Sequence, residues 1–149
     1  MSEQYRTVAG VGTSGFEIRG SRFHGRVAPA ADRETAEATI ADVRSAHPDA
    51  THVVPAYRIR TDPFREWASD DGEPRGSAGQ PALRVLAGQE LENVVATVVR
   101  YYGGTNLGIG GLTRSYAEAV KRAVADTEVV DREPHESLRI TVTYDDSGR

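Results

Sequence analysis

The sequence predicts an α+β fold in which helices and a sheet form a two-layer sandwich. Segments with a strand pattern come first in the chain and are followed by helix, strand, helix, strand and helix in turn. Asn93 to Tyr102 (NVVATVVRYY) is apolar on both faces over most of its length, which is typical of a central strand. The 149 residues suffice for one domain that buries roughly two-thirds of its unfolded surface without a disulfide or a structural metal.

The first strand-like segment covers residues 16–27. Its apolar side carries Ile18 before Gly20, and the phase of the alternation changes at Phe23 after it. Because a strand has a side-chain period of two, such a change predicts a bulge or a bend at the glycine.

The next two elements are a helix and a strand. Asp32 is suited to cap the helix, whose apolar positions recur at Ala36, Ile40 and Val43 and which Pro48 ends. The strand follows at residues 51–60, and Pro55 inside it predicts an edge position or a bulge, since proline cannot donate to a ladder.

The remaining elements flank the central strand. Residues 63–79 read as a loop, and a short helix follows with Pro81 in its first turn and Gly88 as its stop. After the central strand comes a glycine-rich loop, and then a helix with Tyr116 and Val120 on one face. We assign residues 1–134 to one domain. Residues 135–149, with an alternating pattern at 137–144, would begin a second domain.

Composition excludes several classes of function. The chain has no cysteine, so disulfides, thiolate catalysis and cysteine-based zinc sites are excluded. A net charge of −4 argues against a uniformly basic nucleic-acid binder. The first residues lack a secretory signal pattern and no apolar run reaches membrane length, so we expect a cytoplasmic protein without a membrane partner.

Two long motifs carry a family resemblance. They are Ser69 to Leu83 (SDDGEPRGSAGQPAL) and Val98 to Val120 (VVRYYGGTNLGIGGLTRSYAEAV), supported by GSRFHG at residues 20–25 and ATHVVPAYRI at residues 50–59. With these motifs in this order, the sequence resembles the IMPACT/YigZ family over residues 16–130. It departs from the family pattern at Asn106, where lysine is common, and at Ile109, where alanine is common.

The resemblance implies a fold and a biological setting. The fold would be the ribosomal-protein domain-2-like sandwich with a left-handed βαβ crossover, and residues 135–149 would form the first strand of a ferredoxin-like second domain. Eukaryotic relatives regulate translation in the response to amino-acid starvation by binding a protein that activates an initiation-factor kinase. The implied partners are therefore the ribosome or RNA, or a translation-regulating protein.

The glycine-rich loop has two interpretations. Its residues are Gly103, Gly104, Asn106, Gly108, Gly110 and Gly111. Backbone N–H groups at the start of the following helix could hold a phosphate, but the spacing matches neither nucleotide-binding glycine motif. The glycines could equally serve only to turn the chain from strand to helix.

An acidic loop contains Asp70, Asp71 and Glu73. Three carboxylates so close together could hold Mg²⁺ through oxygen ligands. An Asp-Gly turn with a helix cap explains the same residues without a ligand, and a partner-binding loop is a third reading. We assign no metal ligand.

Arginines form the candidate binding surface. Arg19, Arg22, His24 and Arg26 lie on the first strand segment, and Arg58 and Arg60 on the next; they would make one basic patch if these two strands pair. The predicted nucleic-acid or partner-binding set takes Arg19, Arg22, Arg58 and Arg60 from this patch and adds Arg100, Tyr101 and Tyr102 beside the glycine loop. Ordinary solvated strand faces are the alternative reading.

No catalytic residue is assigned, because the histidines lack a metal-binding spacing and no GxSxG elbow is present. The sequence therefore predicts a non-enzymatic, translation-linked regulatory module that needs no cofactor and binds RNA, the ribosome or a protein partner. The alternative is a Mg²⁺-dependent enzyme that handles phosphates or nucleotides with its two glycine-rich loops.

Overall fold

The computed structural model describes residues 4–134, so the strand predicted at 137–144 and the second domain lie outside the described residues. The strands are β1 (Tyr5–Val8), β2 (Gly12–Ile18), β3 (Ser21–Pro29), β4 (His52–Ile59), β5 (Arg65–Ala68), β6 (Val94–Tyr101) and β7 (Val129–Arg132). The helices are α1 (Arg33–Ala46), α2 (Gly79–Gly88) and α3 (Gly108–Ala125).

Five strands form the main sheet in the order β2-β3-β6-β4-β5, with every neighbouring pair antiparallel. The central position predicted for the apolar strand is confirmed, because β6 lies in the middle and is buried from Val94 to Arg100. Strands β3 and β4 both run antiparallel to β6, so they are parallel to each other and α1 connects them across β6. The left-handedness of this crossover stays a prediction. Strands β1 and β7 pair in a separate ribbon.

Helices cover both faces of the sheet. Helices α2 and α3 pack on the face that carries Val54 and Val98, and Tyr116 of α3 joins these residues in one apolar cluster. Helix α1 packs on the opposite face, where Ile40 of the helix meets Val95. The α+β class is thus correct, but the expected two layers become three where α1 covers β4 and β6.

A tight hairpin replaces the bulge that the sequence predicted in residues 16–27. The chain reverses between β2 and β3 through Arg19 and Gly20, whose φ angles are 48° and 86°. A two-residue turn of type I′ requires positive φ at both central residues, and its backbone twist matches the twist of the flanking strands. The turn restarts the alternation, and Phe16 and Phe23 become cross-strand partners with ring centroids 5.5 Å apart.

Strand β4 as a whole lies inside the sheet and its ladder with β6 shows no bulge, but β5 pairs only with residues 56–59, so Pro55 lies at a position of β4 that β5 does not reach. The carbonyl of Pro55 accepts from the Ser69 N–H at 3.2 Å, just beyond the residues that pair with β5. The N and C=O of one strand residue point to the same side of the strand. The N–H that Pro55 lacks would therefore point just beyond the end of the short strand β5. Strand β5 itself was not predicted.

The helix predictions are confirmed. Asp32 Oδ1 accepts from the Thr35 N–H at 2.7 Å at the start of α1, and α2 ends at Gly88. Among residues 4–134, no helix combines the length and the apolar character that crossing a membrane requires.

Candidate functional site

A buried ionic network lies beneath the two predicted loops. The carboxylate of Glu73 accepts two hydrogen bonds from Arg100 Nη1, at 2.8 and 3.0 Å, and one from the Tyr116 hydroxyl. His52 Nε2 lies 3.5 Å from the same carboxylate. The Glu73 and Arg100 side chains are only 3% and 5% exposed. Burial, together with the hydrogen bond to Glu73, raises the pKa of Tyr116, so its hydroxyl stays a donor.

Ser21 joins this network to the glycine-rich loop. Its hydroxyl oxygen accepts from Arg100 Nη2 at 3.1 Å and from the Gly103 N–H at 3.1 Å. Five elements therefore meet at one buried ion pair: β3, β4, β6, α3 and the acidic loop. Sequence reasoning missed Ser21 because an isolated serine in a strand carries no signal of its own.

The other two acidic residues hold backbone groups. Asp70 accepts from the N–H groups of Gly76, Ala78 and Gly79, at 2.8 to 3.2 Å, at the start of α2. Asp71 accepts from the Val53 N–H at 2.8 Å and from Arg44 at 3.2 Å.

The three carboxylates thus have separate partners and do not converge. Within the described part of the chain, no three histidine or acidic side chains are grouped as metal ligands would be. The arrangement fits the turn-and-cap reading of the acidic loop better than the Mg²⁺ reading.

The glycine-rich loop is shorter than the sequence suggested, because α3 already begins at Gly108. Gly103 is required by close packing, since a Cβ there would lie 2.0 Å from the Gly20 carbonyl carbon. Gly108 has φ +75°, which favours glycine at the entry to the helix. These two positions need no ligand to explain them. Phosphate binding by the loop, including Asn106, stays a prediction.

The predicted basic patch is not assembled, because β6 separates β3 from β4 and the expected pairing of these strands is wrong. Arg22 of β3 pairs with Tyr101 at one end of β6, and Arg58 of β4 pairs with Val94 at the other end. The two arginines therefore lie at opposite ends of the sheet.

Arg58 and Arg60 are also engaged locally. The Arg58 side chain forms an ion pair with Glu66, and Arg60 Nε lies 3.2 Å from a carboxylate oxygen of Glu92. Arg100 is buried in the network described above. Of the predicted set, Arg19, Arg22 and Tyr102 remain exposed.

A pocket of about 530 Å³ separates the glycine-rich and acidic loops. Its floor includes His52, Glu73 and Arg100, and Ile109 and Tyr102 form part of its wall. The Tyr102 ring is 48% exposed and lies 5.4 Å from Arg100 Cζ. Arg100 is hydrogen-bonded to Glu73, and His52 Nδ1 lies 2.7 Å from the Asp71 carbonyl oxygen, so these floor groups are engaged within the fold.

A second surface lies on the sheet face that α1 leaves open. Three exposed side chains lie at alternate positions along β3, namely those of Arg22, His24 and Arg26. We call this row, with Tyr101 and His47 beside it, the basic sheet face. Arg22 Cζ lies 4.8 Å from the centroid of the Tyr101 ring, whose hydroxyl is 2.7 Å from His47 Nδ1.

The rings of the basic sheet face form one cluster. The His24 and His47 rings stack with centroids 6.3 Å apart, and Tyr101 lies edge-on to both. Partial burial, with charge repulsion from His47 and Arg22, lowers the pKa of His24. His47 directly follows the last residue of α1, so its position on this surface depends on how α1 docks.

A family model described as the Impact N-terminal domain matches residues 19–124. The chain belongs to the IMPACT family.

Curated IMPACT family members resemble most of the chain. YvyE of Bacillus subtilis (strain 168) is 35% identical over 144 residues, which is 97% of this chain and 66% of that protein. YigZ of Escherichia coli (strain K12) is 40% identical over 130 residues, covering 86% and 64%. A Thermus thermophilus member is 48% identical over 110 residues, covering 71% and 58%. The chain thus spans 58 to 66% of the length of these three relatives.

A solved structure agrees with the fold. The crystal structure of a hypothetical protein superposes with a TM-score of 0.84 at 37% identity, covering 89% of this chain and 66% of that one. A two-domain translational regulator, Yih1, is 28% identical over 79% of this chain and 46% of its own, with a TM-score of 0.47.

Proposed function

We propose that this IMPACT-family domain is a non-enzymatic binding module in the regulation of translation, and that it binds single-stranded RNA on the basic sheet face. Family membership supports the link to translation. The row of Arg22, His24 and Arg26 is the observation that carries the RNA proposal.

The spacing along β3 suits an extended ligand. Alternate residues of a strand lie about 7 Å apart and point to the same face. The two arginines form no ion pair within residues 4–134, so their guanidinium groups are available to phosphates. Single-stranded RNA is usually bound by such cationic grooves together with rings on which bases stack.

The rings of His24, His47 and Tyr101 supply the stacking surface. Beside them, α1 and the sheet enclose a groove of about 540 Å³, lined by both histidines and Arg26. Asp42 also lines the groove, so phosphates would bind on its β3 side. A cationic row beside a groove explains how a chain with net charge −4 could bind RNA locally.

The internal engagement of Glu73, Asp70 and Asp71 supports a binding role over an enzymatic one. Each carboxylate stabilises the fold through a buried ion pair, a helix cap or a backbone contact. A general base would need a carboxylate that is free to accept a proton from a substrate.

Fluorescence anisotropy with a labelled 12-nucleotide RNA across a salt series tests the proposal. We expect salt-sensitive binding, and at least a tenfold loss of affinity in the double variant Arg22→Glu/Arg26→Glu. Each phosphate contact on a single strand contributes about 0.7 to the salt slope, so losing two should flatten it by about 1.4.

Arg84→Glu/Lys121→Glu is the matched control, because it changes the charge equally on the outer side of α2 and α3. Equal affinity losses in both double variants would contradict a defined RNA surface. Co-sedimentation with purified ribosomal subunits, using the same variants, tests the translation link separately.

A further inference from the structure

A second groove lies on the other side of the β2–β3 hairpin, between β2 and α3. It encloses about 490 Å³. Phe16 and Ile18 of β2 form one wall, and Arg114 and Arg122 of α3 form the other. None of these residues belongs to the basic sheet face, so the groove is a separate surface.

The groove is strongly basic. Arg19 and Arg114 form no ion pair within residues 4–134, and both are exposed. Arg122 pairs with Glu118 at 2.8 Å, and its guanidinium lies 4.6 Å from the centroid of the Phe16 ring. Among residues 4–134, Glu118 is the one carboxylate that lines the groove, against three arginines. This surplus of positive charge favours an acidic ligand.

The groove also offers apolar contact. Ile18 is 40% exposed, and Phe16 and Leu107 are partly buried against the core at the same place. Exposed aliphatic side chains stack poorly with bases but accept the aliphatic side chains of a peptide.

Within residues 4–134, strand β2 forms an outer edge of the main sheet, and its Phe16 and Ile18 line this groove. Among the described residues, β2 pairs only with β3. On the other side, the Thr13 N–H donates to the Asp126 carboxylate at 3.0 Å. Because outward-pointing backbone groups alternate along an antiparallel edge, those of Gly15 and Glu17 also point outward. No residue in 4–134 hydrogen-bonds them, so they form an unpaired strand edge.

We propose that this groove binds an extended acidic peptide segment of a partner protein. The segment adds to the sheet as a strand beside β2, through the backbone groups of Gly15 and Glu17. Its carboxylates bind Arg19, Arg114 and Arg122, and an aliphatic side chain packs between Phe16 and Leu107. The unpaired backbone edge favours a peptide over RNA, because strand addition requires a peptide backbone.

Titration with a fluorescein-labelled decapeptide of alternating Asp and Val tests the proposal on the full chain. We expect saturable binding, and at least a tenfold weaker Kd for the Arg19→Glu/Arg114→Glu variant. Arg22→Glu/Arg26→Glu should leave peptide affinity unchanged, because it alters only the basic sheet face. A decapeptide with Lys in place of Asp should not bind.

Amide hydrogen exchange provides a readout that charge attraction alone would not change. The amides of Gly15 and Glu17 should exchange at least tenfold more slowly with the peptide bound. A peptide N-methylated at alternate residues should bind at least tenfold more weakly. Absence of binding at millimolar peptide, or binding without protection of these amides, would overturn the proposal. If the 12-nucleotide RNA instead displaces the peptide, and the Arg19→Glu/Arg114→Glu variant loses affinity for both ligands equally, the peptide proposal is overturned and the groove is an RNA surface.

Discussion

The ion pair of Glu73 and Arg100 determines how five elements meet in this domain. Removing two charges from water is costly, and their attraction compensates only where the remaining donors and acceptors are satisfied. Here Tyr116 and Ser21 supply those further hydrogen bonds. The pair therefore acts as a geometric constraint on the loops above it.

Glu73→Gln should destabilise the fold by about 3 kcal/mol or more, because it leaves the Arg100 guanidinium buried without a counter-charge. Urea unfolding followed by circular dichroism measures this change. Glu118→Gln is the control, since its pair with Arg122 is exposed and spans one helical turn, where the cost is about 0.5 kcal/mol. Similar losses in the two variants would contradict the proposed constraint.

Asp70 stabilises the start of α2, and its effect depends on pH. Burial alone would raise its pKa, but hydrogen bonds from Gly76, Gly79 and Ala78 outweigh this, and the net pKa is lowered. A lowered pKa in the folded state means that the carboxylate stabilises the fold above its unfolded pKa, near 3.8. This stabilisation is lost as the pH falls through the folded pKa.

Asp70→Ala should therefore cost about 1 to 2 kcal/mol at pH 7, as for other helix caps. The difference from the wild type should shrink below pH 3.8 as the wild-type carboxyl is protonated. Urea unfolding at pH 7 and pH 2.5 gives both values. A difference that stays constant across this range would show that the ionised cap is not responsible.

At the scale of elements, the β2–β3 hairpin and the glycine-rich loop are locked together. Gly103 lies against the Gly20 backbone, and its N–H donates to Ser21 beside the turn. The loop is thereby fixed between the hairpin and the start of α3, and both proposed binding surfaces flank this junction.

Gly103→Ala should destabilise the domain by at least about 2 kcal/mol, because the new Cβ would lie 2.0 Å from a backbone carbon that no rotamer change can move. Gly88→Ala at the end of α2 is the matched control. A Cβ there meets no atom within 4 Å, so we expect a neutral or slightly stabilising change. Thermal unfolding of both variants decides between steric packing and a general cost of losing glycine.

At the scale of the whole molecule, α1 determines which part of the sheet is available to a ligand. It covers β4 and β6 and leaves the side chains of β3 exposed at its margin, where His47 and Tyr101 meet His24. The proposed RNA surface thus exists because one face of the sheet is only partly covered.

RNA affinity should rise as the pH falls below the ordinary histidine value of 6.5. The lowered pKa of His24 means that the free protein protonates it only in more acidic solution, and a bound phosphate favours the charged form. By linkage, affinity for the 12-nucleotide RNA should increase several-fold between pH 7.5 and pH 5.5. His24→Gln should remove much of this increase in RNA affinity. If the affinity of that variant depends on pH as the wild type's does, His24 does not belong to the RNA-binding surface.

Local patterns in the chain were sufficient for the three helices, for β4 and for the central strand β6, but not for β1, β5, β7 or the division of residues 16–27 into two strands. Apolar residues on both faces identified β6 as central, Asp32 identified the start of α1, and the two long motifs identified the family. These features depend on neighbours a few residues apart, where spacing alone determines capping, periodicity and burial.

Tertiary structure decided which distant residues meet. Insertion of β6 between β3 and β4 separated Arg22 from Arg58, whereas docking of α1 placed His47 beside His24. Strand order depends on packing between segments tens of residues apart, and no local pattern specifies it. The sequence by itself therefore determined the helices, the central strand and the family, while the tertiary structure determined that Glu73 and Arg100 are buried together and that the exposed arginines form two separate surfaces.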